Sequence, residues 1–260
     1  MQRTKSSLAG LLSIFVLVLL ISFVYHLPAG WVFKQMNLQS QLPKNLHLSE
    51  PQGTLWQGQT QLTFSPSAQS VFSAKLEWQL SPWSLLMLQP NLAMSLDNAQ
   101  GGSKWNIATG LLDQSRIEVS DLNGMWQLTA FQAFLPNSVR GLGELKGQVG
   151  LLQLGLVWDV QTGWLASING SAQFSQADFL GANIPQLKVE PALKNKQVEL
   201  SLDGGGPGWK LSGSSLMGPK AFQHNLKIQA DNAQSMPDWI DLVMRKKTPV
   251  LATLVQKGRW

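Results

Sequence analysis

Cysteine is absent from the 260 residues, which excludes disulfides, thiolate metal sites and cysteine nucleophiles. Charge is scarce: Asp, Glu, Lys and Arg make up 13% of the chain, against about 25% in ordinary soluble domains. Long solvated helices are therefore not expected. The net charge of +5 is the excess of 20 scattered Lys and Arg over 15 Asp and Glu, with Arg245, Lys246 and Lys247 the densest run, and such scatter argues against nucleic acid as a partner. Three histidines occur, His26, His47 and His224, too far apart for an i, i+4 metal pair, and no HExxH or GxSxG string accompanies them. His224 keeps register with Phe222, Leu226 and Ile228 and reads as a half-buried strand residue, His47 as a surface strand residue. The glycines of Gly204 to Gly208 lack the Lys-Ser or Lys-Thr ending of a phosphate loop and read as a hairpin loop. Asp231, Asp238 and Asp241 lack the partners that acid–base chemistry needs. No enzyme, metal or cofactor is expected.

One long apolar run is present. Leu8 to Tyr25 carries no charge, and about 18 residues at about 1.5 Å each reach roughly 27 Å, close to the thickness of a bilayer's hydrocarbon core. A cleaved signal peptide has a shorter apolar core and a small-x-small site. Here His26-Leu-Pro-Ala-Gly-Trp31 follows instead, so the run reads as an uncleaved transmembrane anchor with Leu12, Phe15, Leu19, Phe23 and Tyr25 in it. Arg3 and Lys5 precede it and favour a cytoplasmic N-terminus, while Tyr25 and Trp31 suit the far interface. The rest of the chain then lies outside the cytoplasm.

Beyond the anchor the period is two. Thr54, Trp56, Gly58, Thr60, Leu62 and Phe64 alternate with glutamines and Thr63, and Phe72, Ala74, Leu76, Trp78 and Leu80 alternate with Ser73, Lys75, Glu77 and Gln79. These two runs predict an antiparallel pair. Similar alternation recurs to Leu226 and Ile228, with a change of register near Leu151 that demands a bulge or turn. Short helices are expected at Trp83–Leu88 and Leu128–Leu135, and a terminal one from Pro237 to Lys247, where Pro and Asp open the segment and three cations close it. A weak likeness between Gly58–Leu62 and Gly147–Leu151, each leading to a Trp, hints at two curved sheets joined near Asn137 to Gly143.

The expected fold is mainly β: curved antiparallel sheets, either an open groove or a sandwich, behind one transmembrane helix and with one or two short helices. Its order is a tail (1–7), the anchor (8–25), a juxtamembrane connector (26–50), a first β-rich half (51–140), a second (141–234), and a short helix with a tail (235–260). Eleven Trp stand against one Tyr. Alternation fits a plain sandwich core, and it fits equally an apolar face that accepts acyl chains or a partner protein. The candidate groove or docking face holds Trp56, Leu62, Phe64, Leu76, Trp78 and Trp158.

At Gly53-Thr-Leu-Trp-Gln-Gly58, after Pro51 and before Lys75-Leu-Glu-Trp-Gln-Leu-Ser-Pro-Trp-Ser-Leu-Leu86, the chain resembles the type II secretion system protein N family. The likeness extends over nearly the whole chain, and the Gly-Thr-Leu-Trp-x-Gly string beyond a single N-terminal anchor is its most specific element. It implies a Gram-negative inner-membrane protein with a periplasmic domain. Such a protein assists export of folded proteins across the outer membrane, has no catalytic residues, and has the machine's inner-membrane components as partners. The chain also looks similar to membrane-anchored β-groove proteins linked to lipid traffic between the two membranes, which makes membrane lipid the competing ligand.

Overall fold

The computed structural model describes residues 15, 16, 18, 19, 22–67, 70–110, 115–135, 143–179 and 182–259. Its strands are β1 (Leu46–Leu48), β2 (Gln52–Gly53), β3 (Gln57–Ser67), β4 (Ser70–Leu80), β5 (Asn91–Asn98), β6 (Gly101–Thr109), β7 (Arg116–Gln127) and β8 (Lys146–Asp159). They continue with β9 (Trp164–Phe179), β10 (Ala182–Lys194), β11 (Gln197–Gly206), β12 (Trp209–Met217), β13 (Ala221–Ala230), β14 (Arg245–Thr248) and β15 (Leu251–Arg259). The short helices are α1 (Ala29–Gln35), α2 (Leu38–Gln41), α3 (Pro82–Leu86) and α4 (Ile240–Val243), with 3-10 turns at Leu128–Phe134 and Ala233–Ser235.

All fifteen strands belong to one open antiparallel sheet. From β3 to β13 each strand pairs with its neighbour in sequence. Then β15 lies against β13 and β14 lies outside β15, while β1 and β2 both pair with β3. The mainly-β expectation holds in its open form, and among the described residues no second sheet packs against the first to make a sandwich. The join expected near Asn137 to Gly143 lies, Gly143 apart, outside the described residues; β7 and β8 on either side of it pair directly, Trp126 opposite Val149.

Register explains why one face is apolar. Residues directly opposite share a face: Phe64 meets Phe72, Trp78 meets Met94, Met94 meets Trp105, Val149 meets Phe174 and Phe174 meets Leu187. The other face carries Gln59 opposite Glu77 and Ser95 opposite Lys104, with a Lys75–Glu77 ion pair at 2.6 Å. The register change expected near Leu151 is present as bulges. The β8–β9 pairing slips between Leu152 and Gly155, and Gln153 takes φ 48°. Asn123 holds that bulge by accepting the Gln153 amide at 2.9 Å, and Asp121 bulges in β7 with φ 54°.

Two ends of the sheet differ. At the distal end, where β3 finishes and β8 begins, the 3-10 turn Leu128–Phe134 folds over the apolar face and buries Phe72, Ala74, Trp126, Leu128 and Val149. Further along, Met236 to Met244 does the same over Trp209, Leu211, Ile228 and Ala252, with Ile240 fully buried. At the proximal end, where β3 starts and β4 finishes, the apolar face is only half-buried at Trp78, Met94, Trp105, Ile107 and Leu156.

Two expectations need correction. The terminal helix stops at Val243, and Arg245 to Thr248, with the three cations, forms the edge strand β14; the segment taken for a tail is β15. Met244 is buried in the core and its amide closes the helix on the Ile240 carbonyl at 2.8 Å, after which the backbone of β14 finds its partners in β15. The run from Thr54 to Phe64 is likewise not all strand. Thr54 to Trp56 forms a turn between β2 and β3, because Gly53 adopts φ +96° and a Cβ there would meet the Gln57 carbonyl oxygen at 2.5 Å. The helices expected at Trp83–Leu88 and Leu128–Leu135 are present, the latter as a 3-10 turn.

Candidate functional site

The Gly53–Gly58 turn ties the sheet to the end of the apolar N-terminal run and to the segment that follows it. Trp56 leaves the sheet face: its Nε1 donates to the Val24 carbonyl at 3.0 Å. The Leu55 amide donates to the Leu27 carbonyl at 3.0 Å, and Pro28 bridges Thr54. Trp78 completes the joint from β4. Its Nε1 donates to the Leu55 carbonyl at 3.3 Å, and its ring stacks on Phe33 of α1 with centroids 5.7 Å apart. Gly58 is the residue that admits this ring, since a Cβ there would collide with the Trp78 indole and stand 2.5 Å from the Gln52 carbonyl oxygen. The two glycines of the string are therefore both fixed by geometry, one by its φ and one by a close approach.

Of the candidate face, Leu62, Phe64, Leu76 and Trp78 lie together on the apolar side of β3 and β4. Leu62 and Phe64 pack against the distal core, where Phe64 stacks on Phe134 with centroids 5.0 Å apart. Trp158 stands apart on β8 opposite Ile117, and both are partly exposed, at 37% and 39%. Trp56 serves the joint instead. Of the anchor residues, Leu12 lies outside the described residues, while Phe15, Leu19, Phe23 and Tyr25 are helical and exposed. No helix among the described residues is long and apolar enough to cross a membrane.

The polar face holds a depression of about 830 Å³, lined by Gln57, Gln59, Glu77, Gln79, Ser95, Lys104, Asn106 and Asp121 among others. The Lys75 ammonium beside Glu77, by hydrogen bond and by charge, holds that carboxyl below its usual range. His224 is satisfied within the sheet, with Nδ1 2.7 Å from the Ser215 hydroxyl. Among the described residues no three His, Asp or Glu side chains lie close enough to hold a metal ion.

The model of the type II secretion system protein N family matches residues 44–241, which include the Gly53–Gly58 turn and the strands from β1 to β13. The chain belongs to that family. No curated protein and no solved structure matches it. This member of the family is thus built as one open sheet whose N-terminal edge is clamped to the chain leading out of the apolar run. Sequence reasoning found the string by resemblance but missed what it holds, namely Val24, Leu27 and Phe33. The available signal was a tryptophan placed between two glycines where strand alternation gave no reason for either.

Proposed function

We propose that this protein is a non-enzymatic accessory component of the type II secretion system, held in the inner membrane by its N-terminal apolar run with the sheet in the periplasm. It offers the sheet's surfaces to inner-membrane components of the machine. The observation that carries the reading is the family match over residues 44–241. The clamp from Trp56 and Leu55 to Val24 and Leu27 supports it, because such a joint fixes a sheet relative to an anchor. A second reading, contact with phospholipid acyl chains, is favoured by the half-buried proximal apolar face around Trp105 and Leu156.

Deleting the gene under inducing conditions tests the first reading. Normally secreted folded enzymes are expected to accumulate in the periplasm, and unchanged export removes the proposed role. Native mass spectrometry of the full chain from mild detergent separates the second: phospholipid retained near stoichiometry, and lost on Leu76→Asp, favours the lipid reading.

A further inference from the structure

The hairpin loop between β4 and β5 presents an apolar surface that the strands do not use. Around α3, Trp83 is 72% exposed, Leu86 73%, Met87 75% and Leu88 47%. No Asp, Glu, Lys or Arg occurs between Trp78 and Leu96. The loop is nevertheless well folded: the Ser84 hydroxyl donates to the Ser81 carbonyl at 2.7 Å and accepts from the Asn91 amide at 2.9 Å, and the Gln89 amide donates to the Ser84 carbonyl at 2.9 Å. Its backbone is satisfied from within, so its large apolar side chains are held outward and not collapsed against the sheet.

The loop is joined to the N-terminal segment through Trp56. The Leu80 amide at its base donates to the Trp56 carbonyl at 2.6 Å, and the Trp56 indole donates to Val24 at the end of the N-terminal helical segment. Two hydrogen bonds thus separate this apolar tip from the end of an uncharged run of bilayer length. We infer that the α3 tip is a second membrane contact, whose Trp83, Leu86 and Met87 insert into the headgroup–acyl boundary of the same bilayer that holds the anchor. A tryptophan beside aliphatic side chains on a charge-free loop matches the chemistry of that boundary. Two points of attachment set the tilt of sheet and anchor together in the bilayer, where a single helix, even rigidly joined to the sheet, can tilt with it. The inference rests on the anchor reading.

The absence of cysteine allows a direct test. Full-length Met87→Cys, Phe15→Cys and Gln234→Cys variants, each carrying one fluorophore, are reconstituted into vesicles of phosphatidylethanolamine and phosphatidylglycerol. They are then exposed to aqueous iodide or to doxyl-labelled lipid. The Met87 label is expected to lose most of its emission to the lipid quencher and little to iodide, as at Phe15, with the reverse at Gln234 on the distal side. A Met87 label as open to iodide as that at Gln234, with Phe15 protected, overturns the tip contact while leaving the anchor. A Phe15 label open to iodide with Met87 protected overturns the anchor and supports the tip; both open overturn the two together.

Discussion

Gly58 carries a steric requirement that no other residue type meets. A methyl group at this position strikes the Trp78 ring and the Gln52 carbonyl, and because the ring is pinned by Phe33 and by its bond to Leu55, it has little room to yield. Gly58→Ala is expected to cost about 1–3 kcal/mol, read as a lower urea midpoint with an unchanged slope. A second residue-scale device sits at the β8–β9 turn. The Asp159 carboxylate accepts the Thr162 and Gln161 amides, both at 2.9 Å, and these bonds, that from Thr162 foremost, hold its carboxyl below the usual range. A depressed carboxyl stabilises the fold above its unfolded pKa and loses that contribution as the pH falls through its folded value. The amide proton shifts of Thr162 and Gln161 are therefore expected to titrate below the ordinary aspartate range. In Asp159→Asn, which keeps an acceptor oxygen without a charge, that titration is expected to vanish.

At the scale of elements, the segments that cover the distal apolar face differ sharply in what each side chain contributes. Ile240 is fully buried among Trp209, Ile228 and Met236, whereas Val243, three residues on in the same short helix, is 53% exposed. Ile240→Ala is expected to cost about 2–5 kcal/mol by emptying a packed site, and Val243→Ala less than about 0.5 kcal/mol, compared by thermal unfolding. The strands that receive these covers were legible in the sequence because one face is apolar along nearly all of β3 to β13 and turns fall between them, as at Asn195-Lys196 with φ of 51° and 61°. The covers themselves were harder to read. The segment from Pro237 has helical charge placement, but that signal is worth only a fraction of a kcal/mol, and burial of Met244 together with pairing to β15 outweighs it. Of the joint, sequence showed the glycines and Trp56 without their partners, because Val24 is 32 residues away from Trp56 and nothing local encodes that contact. The exposure of Trp83 was invisible too, since a short apolar run reads alike whether it is covered or bare.

For the whole molecule, an open sheet of fifteen strands has two edges, and each is an invitation to pair with another copy. The β14 edge carries Arg245, Lys246 and Lys247, all exposed, with Lys246 held by Asp241 at 2.8 Å; cations of this kind resist edge-to-edge pairing. The β1 edge has no such charge and is closed by a side chain. Gln39 of α2 donates Nε2 to the Leu46 carbonyl at 3.1 Å and accepts the Leu48 amide on Oε1 at 3.1 Å. One amide group thereby occupies the backbone groups that a further strand would use. Gln39→Ala opens them to water, which replaces both bonds, so stability is expected to change by less than about 1 kcal/mol. Association is where the loss shows: in light scattering after gel filtration, the Gln39→Ala protein is expected to form dimers and larger species whose fraction rises with concentration. An unchanged mass across that range places the control of this edge elsewhere than in Gln39.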